Sequence, residues 1–351
     1  MKVTRLLFGI AIITLSGCYS LNSGIIPHPE TSLKDVNTYL SKQVVEQKAI
    51  NKSSDISFSV LSGNIKGDTT YRIDFPEGAS QLEFPLGNSL LGLGFNLKQL
   101  IPTTTKHRDG FSLRWWLSQD NESSGKLKDS DWLDDTADIT EVGQAHPGLD
   151  IYSESTAKLS ARIIDVNYVY TVMPGGKISI GIVFGYLYQN FHYNIYDVTQ
   201  VGFGPYAAHY TDSVSGKVLD YEVTYSTPYL GLTTDVLLFE TVRLNFQWGY
   251  SAMAEAKDTD KHVLRYKISK GDTNGTANII NLNLEWEIQS QWSLQLNIVN
   301  MSIDASGKQS QYWYGNDPVT AGDDTGTFVK GINDKISSTQ KIVAMGIRYR
   351  F

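Results

Sequence analysis

Along most of this chain, apolar side chains recur at every second residue. In "VRLNFQWGYSA" the even positions Val242, Leu244, Phe246, Trp248 and Tyr250 are apolar, and Arg243, Asn245, Gln247, Gly249 and Ser251 alternate with them. A period of two places the two sets on opposite faces of a strand. The pattern returns in "IINLNLEWEI", where Ile280, Leu282, Leu284, Trp286 and Ile288 oppose Asn281, Asn283, Glu285 and Glu287. It returns again in "WSLQLNIV" and in "KISIGIVFGYLY". A soluble sandwich alternates too, so the content of the second face matters: here it carries Asn, Gln, Glu and Arg. In a barrel that crosses a lipid layer, the apolar face meets lipid, the polar face lines the lumen, and closure pairs every backbone group.

The connections separate into two classes. Short ones fall at "MPGGK", "LFET" and "EIQSQW", and long polar ones occupy about 122 to 150, 197 to 220 and 304 to 338. Short periplasmic turns and long external loops are the asymmetry of outer-membrane barrels. Counting from residue 55 gives ten strands, near 55 to 66, 80 to 100, 110 to 121, 154 to 172, 178 to 196, 221 to 238, 242 to 257, 265 to 288, 292 to 303 and 339 to 351. The final "KIVAMGIRYRF" puts Val343, Met345, Ile347, Tyr349 and Phe351 on one face. Its aromatic end resembles the last strand of bacterial outer-membrane barrels. The expected fold is all-β: a ten-stranded antiparallel transmembrane β-barrel with long extracellular loops.

Composition agrees with many amphipathic strands: of 351 residues 11% are aromatic, 19% are charged and 30 are Gly. A net charge of −7 offers no clustered cationic surface for nucleic acid. "MKVTRLLFGIAIITLSGC" has Lys2 and Arg5, then an apolar run, then small residues, the layout of a secretory signal over 1–18. Its context "LSGC" makes Cys18 either a lipidated first residue of the mature protein or a chance cysteine beside an ordinary cleavage site. Residues 19–54 read as a polar extension, either a short helix or a tether, and 55–351 as the barrel.

The strand count places two acidic segments on the external rim: "KDSDWLDD" after the third strand and "AKDTDKHVLRYK" after the seventh. Asp260 and His262, two residues apart on an extended backbone, project to the same side. There a carboxylate can orient an imidazole that takes a proton from water. Taken alone, "DSDWLDD" reads equally as a solvated or cation-binding turn, and His262 as a surface histidine. Strict alternation past Tyr250 would aim Asp258, Asp260 and His262 outward.

The pair of segments resembles the omptin family of outer-membrane endopeptidases, ten-stranded barrels with an external groove. The resemblance extends through "SDISFSVLSG", "ASQLEF", "AHPGLD", "GYLYQNFHYN" and "STPYLGL", in order over about 55 to 351. It implies an Asp pair at Asp129 and Asp131 that holds a nucleophilic water, and a dyad at Asp260 and His262 that activates it. Against the strict alternation, it therefore also implies a bulge or strong twist near 254 to 257 that turns the dyad into the groove. It also implies that Asp258 lines a pocket for a basic side chain beside the scissile bond. The acidic companion from the first external segment falls on Gly67 or, with one insertion, on Asp68. His146 is a further candidate groove residue.

The implied partners are peptides or proteins and outer-membrane lipid, with the active site facing the cell exterior. Family members bind lipopolysaccharide through basic wall residues, whereas "GYLYQNFHYN" has no Arg or Lys. No cofactor is expected, and zinc spacings and nucleotide-binding glycine loops are absent from the sequence. His28, His107, His192 and His209 read as structural. The competing reading is a non-enzymatic barrel of the same fold, serving as an adhesin, a wall protein or a narrow pore.

Overall fold

The computed structural model describes residues 55–75, 78–98, 109–118, 123–133, 148–173, 176–208, 211–318 and 322–351; Cys18, the rest of 1–54 and His146 lie outside them. The period of two becomes twelve strands. These are β1 (Asp55–Phe75), β2 (Gly78–Pro85), β3 (Asn88–Lys98), β4 (Asp109–Ser118), β5 (Ser123–Trp132) and β6 (Ile151–Met173). They continue as β7 (Ile178–Gly202), β8 (Asp212–Phe239), β9 (Val242–His262), β10 (Lys267–Gln289), β11 (Trp292–Trp313) and β12 (Phe328–Arg350). All pair antiparallel in one sheet, and β12 closes on β1 from Arg350 opposite Ser57 to Asn333 opposite Asp74.

Twelve segments make ten staves. β3 pairs with the first half of β1 and β2 with the second, so β2 and β3 are one interrupted stave. In the same way β4 pairs with residues 162–170 of β6, and β5 with residues 151–158. The ten-stranded expectation therefore holds.

The bounds expected for the long extracellular loops need correction, because strands run through much of that sequence. β5 occupies the stretch read as a loop around Asp129; β7 and β8 reach Gly202 and Asp212, and β11 and β12 reach Trp313 and Phe328. About 9–11 residues suffice to cross a bilayer, whereas β6 to β12 have 21 to 28. The surplus stands above the lipid. There the outer face meets water and the inner face lines a polar groove, so the apolar–polar alternation fades while the backbone ladder continues.

The lower halves carry the lipid band. Phe184, Tyr186, Leu230, Leu232, Phe246, Trp248, Ile280 and Met345 are exposed apolar side chains on outward positions. Near the short turns, Trp292 and Phe351 flank Tyr349 at ring-centroid distances of 4.7 and 4.9 Å, an aromatic cluster at the interfacial end.

Inside, the lumen is filled. Its lower part is polar: Arg348 pairs with Glu285, Asn297 donates to Asn281 at 2.8 Å, and Gln189 donates to Gln340 at 2.6 Å. Above lies a plug of buried aromatic residues, Tyr71, Phe84, Phe191, Tyr193, Tyr221 and Tyr225. Phe84 stacks on Tyr221 at 4.1 Å, and Thr69 binds Ser338 at 2.9 Å beside them. A void between the lower polar layer and the plug, lined by Arg114, Asp165 and Gln247, holds only about 20 Å³, room for a water or two. This packing speaks against a narrow pore. Because Phe84 is completely buried, Phe84→Ala is expected to destabilise the barrel by about 3–5 kcal/mol, measured as a shift in the denaturant midpoint of folding in lipid vesicles.

Candidate active site

A groove of about 650 Å³ opens above the plug, lined by Asp129 and Asp131 of β5, Asp260 and His262 of β9, and Ser269 and Lys267 of β10. Tyr71, Leu82, Gln311 and Trp313 complete much of its floor and sides. Residues that are distant in sequence thus share one water-accessible cleft at the end opposite the short turns.

The β5 wall explains why tryptophan follows the acid pair. Trp132 is buried in a small cluster with Ala79 and Leu149, against which Tyr152 packs. The Arg72 guanidinium sits 5.6 Å from its ring centroid. The backbone N–H of Leu133 donates to the Asp150 carboxylate at 2.6 Å, and that of Asp150 to the Asp131 carbonyl at 2.9 Å. Trp132 therefore anchors the strand end while alternate residues Asp129 and Asp131 face the groove. They stand opposite Leu82 and Ser80 on β2, and the Ser80 hydroxyl approaches Asp129 Oδ1 at 3.5 Å, at the edge of hydrogen-bond range. Burial pushes both carboxyls above their ordinary range; for Asp129 the neighbouring Asp131 and Asp260 charges push further.

The β9 wall needs a change of parity, and the structure supplies it. Gln247, Gly249 and Ser251 are buried on the odd phase, and Ala254, Ala256, Asp258 and Asp260 on the even phase. Between them lies a bulge at Ala252 and Met253: Ser251 pairs with Ala277 and Ala254 with Gly275, which leaves two residues of β9 facing Thr276 alone. The freed N–H of Met253 donates to the Ser251 hydroxyl at 3.2 Å. The inward turn thus comes just before the 254 to 257 interval that the resemblance implied.

Beyond the bulge, His262 Nε2 meets Asp260 Oδ2 at 2.7 Å. With Nε2–H donating to the carboxylate, Nδ1 retains a lone pair. Asp260 is only 1% exposed, and its other oxygen has no partner among the described residues. Burial lowers the His262 pKa, helped by the positive charges of Lys267 and Arg265 and opposed by Asp260. The imidazole is therefore neutral, and able to accept a proton, at neutral pH.

One rung below, two buried acids meet. A Cβ on Gly271 would lie 2.1 Å from both Asp258 Oδ1 and Asp334 Oδ2, so both carboxyls lean over this glycine. Neither meets a side-chain hydrogen-bond partner among the described residues. Burial first, then Asp334 and Asp260, hold Asp258 well above the ordinary carboxylate range. Asp334 is raised to about 7 by burial and by Asp260. A buried acid pair without a partner keeps a proton until a cation replaces it.

Some sequence expectations find other places. Asp68 is exposed on β1 and does not line the groove. His192 has a partner after all: its Nε2 lies 2.8 Å from Asp220 Oδ1, and Lys217 binds the other oxygen of that carboxylate. This pair sits away from the groove lining. Asp334 and Lys267 were missed. Asp334 fell in a stretch read as a loop, and neither has a local sequence feature to mark it.

A profile of the Omptin family matches residues 48–351. Among solved structures, the chain is similar to the outer membrane protease OmpT from Escherichia coli: TM-score 0.68, 16% identity, covering 86% of this chain and 100% of that one. Outer membrane protein OprG from Pseudomonas aeruginosa aligns with a TM-score of 0.37 at 12% identity, over 86% of this chain and 98% of that one. The translocator domain of autotransporter NalP from Neisseria meningitidis gives 0.34 at 9% identity, over 91% and 98%. No curated protein matches by sequence.

Proposed function

Because the chain belongs to the Omptin family, an outer-membrane barrel with its groove at the cell surface, we propose that it is a surface endopeptidase cutting beside basic residues. The observation that carries this reading is the hydrogen-bonded Asp260–His262 pair facing the same groove as Asp129 and Asp131. The structurally similar OmpT, an outer membrane protease, points the same way.

In the proposed reaction, a water held by Asp129 and Asp131 attacks the peptide carbonyl carbon. His262 Nδ1 takes the water proton and passes it to the leaving amine as the C–N bond breaks. Asp260 fixes the ring and stabilises the imidazolium formed between these steps. The raised carboxyl of the Asp129–Asp131 pair keeps a proton to share, so the pair can both donate to and accept from the water. Asp258, with Asp334 beside it, receives a guanidinium or ammonium group from the substrate, and the acid missing from β1 is replaced from β12.

The test is cleavage of a quenched fluorescent Arg-Arg peptide by refolded barrel, with and without lipopolysaccharide. Cleavage is expected, and Asp258→Asn should lower kcat/KM on this peptide on the order of 30-fold or more, the cost of unpairing a buried cation. A peptide with neutral residues at the cut should be far less affected. Failure of the folded barrel to cleave this peptide and a diverse peptide library, with lipopolysaccharide as well as without it, would favour the adhesin or wall-protein reading.

A further inference from the structure

Lys267 is a buried cation that the reaction above does not use. It opens β10 directly opposite His262 and lines the groove with Asp129, Asp131 and Asp260. Lysine is almost never buried without a partner, yet this one is only 6% exposed and makes no ion pair within 4.0 Å among the described residues. What holds its chain is aromatic: Nζ lies 6.0 Å from the Trp313 ring centroid. The nearby carboxylate that might have paired with it is taken. Asp317 accepts from Arg265 Nε at 2.8 Å and from Trp313 Nε1 at 3.4 Å. Among the described residues the ammonium is left with free donors on the groove that contains the dyad.

We propose that Lys267 is a further catalytic residue, whose ammonium donates to the oxyanion that forms when water adds to the scissile carbonyl. The inference rests on the endopeptidase reading. As the water oxygen bonds to the carbonyl carbon, the π pair moves onto the carbonyl oxygen and His262 takes the water proton. Lys267 hydrogen-bonds that oxygen and keeps its own protons. When the intermediate collapses, the pair returns, the C–N bond breaks and the amine leaves with the proton from His262. A negative oxygen developing among Asp129, Asp131 and Asp260 would otherwise be repelled, so a fixed positive donor has its largest effect at that moment.

The charged groups facing Lys267 set the pH at which this works. Arg265 comes from its own hairpin, Asp260 and His262 from β9, Asp129 and Asp131 from β5, and Asp317 from the segment after β11. Burial, with Arg265 adding repulsion, outweighs the attraction of Asp260, Asp131 and Asp317 and lowers its pKa to about 8. The active, protonated form is present below that value and is lost as pH rises through it.

The experiment compares wild type, Lys267→Met and Lys267→Arg on the Arg-Arg peptide, with folding of each barrel checked by electrophoretic mobility before and after heating. Lys267→Met should lose on the order of 10²- to 10³-fold in kcat with KM nearly unchanged, the effect of removing one oxyanion donor. Lys267→Arg should recover part of the rate and remove the alkaline fall near pH 8, because a guanidinium stays charged there. A peptide phosphonate, which carries the tetrahedral anion, should bind Lys267→Met more weakly than wild type by a similar factor, while a cleaved product peptide binds both alike. An active wild type with an equally active Lys267→Met, or a loss confined to KM, overturns the proposal. So does a Lys267→Met barrel that binds the phosphonate as tightly as wild type. A folded wild type that cleaves nothing instead rejects the endopeptidase reading on which it rests.

Discussion

Replacing His262 with alanine should lower kcat/KM on the Arg-Arg peptide by about 10²- to 10⁴-fold, the usual contribution of a positioned general base. The barrel itself should be unaffected, since His262 stands at the rim end of β9 and, among the described residues, its side chain bonds Asp260 alone. Asp260→Ala should fall in the same range, because the 2.7 Å bond that sets the tautomer is lost. The acid limb carries a second signature. His262 works when neutral, and burial with Lys267 and Arg265 lowers its pKa, so wild-type kcat/KM should fall only below the ordinary histidine value of about 6.5. Removing the Asp260 carboxylate removes the group that raises the His262 pKa, so the residual activity of Asp260→Ala should persist to still lower pH. Stopped peptide assays from pH 4 to 9 on the three proteins would measure this. Undiminished cleavage by His262→Ala would end the water-activation mechanism outright.

Much of this molecule is legible in its sequence, and the boundary of what is legible has a physical cause. Where the wall stands in lipid, solvent differs on its two faces, and side chains such as Phe246 and Gln247 record that difference residue by residue. Above the lipid both faces are wet. Lys128, Asp129, Ser130 and Asp131 then look like a loop although they are a ladder strand between β2 and β6. Asp129, Asp131, Asp260 and His262, which share the groove, could be singled out as candidates because each pair is local in sequence and fits a family pattern. Asp334 and Lys267 could not, because their burial arises only when β9, β10, β11 and β12 come together around Gly271 and Trp313. The bulge lay between these cases. Parity alone aimed the dyad outward, and only the family resemblance implied the turn; the structure adds Pro228, which has no N–H for a ladder and lies in the β8 interval from Ser226 to Leu230 that faces the bulged part of β9.

Deleting Met253 should abolish cleavage, with a loss at least as large as that of His262→Ala. Side chains on a strand alternate, so removing one residue sends every residue beyond it to the other face. Asp258, Asp260 and His262 would then point outward, and Lys257, Thr259 and Lys261 would point into the groove. The lower wall, from Val242 to Ser251, would keep its lipid-facing phase, so membrane insertion should survive. The upper rim would not be as stable, because Ala254 and Ala256, both fully buried, would give up their places against the plug to larger polar residues. Faster hydrogen exchange confined to the upper parts of β8, β9 and β10 would report that change. Met253→Ala is the control: the side chain is 71% exposed and the bulge is held by the backbone N–H on Ser251, so cleavage should stay within about twofold of wild type. If the deleted protein still cleaves while folded, the bulge does not aim the dyad, and the turn of Asp260 and His262 into the groove must come from the ladder above it. The contrast between losing one exposed side chain and losing one residue separates chemistry from register at a site where the two are otherwise inseparable.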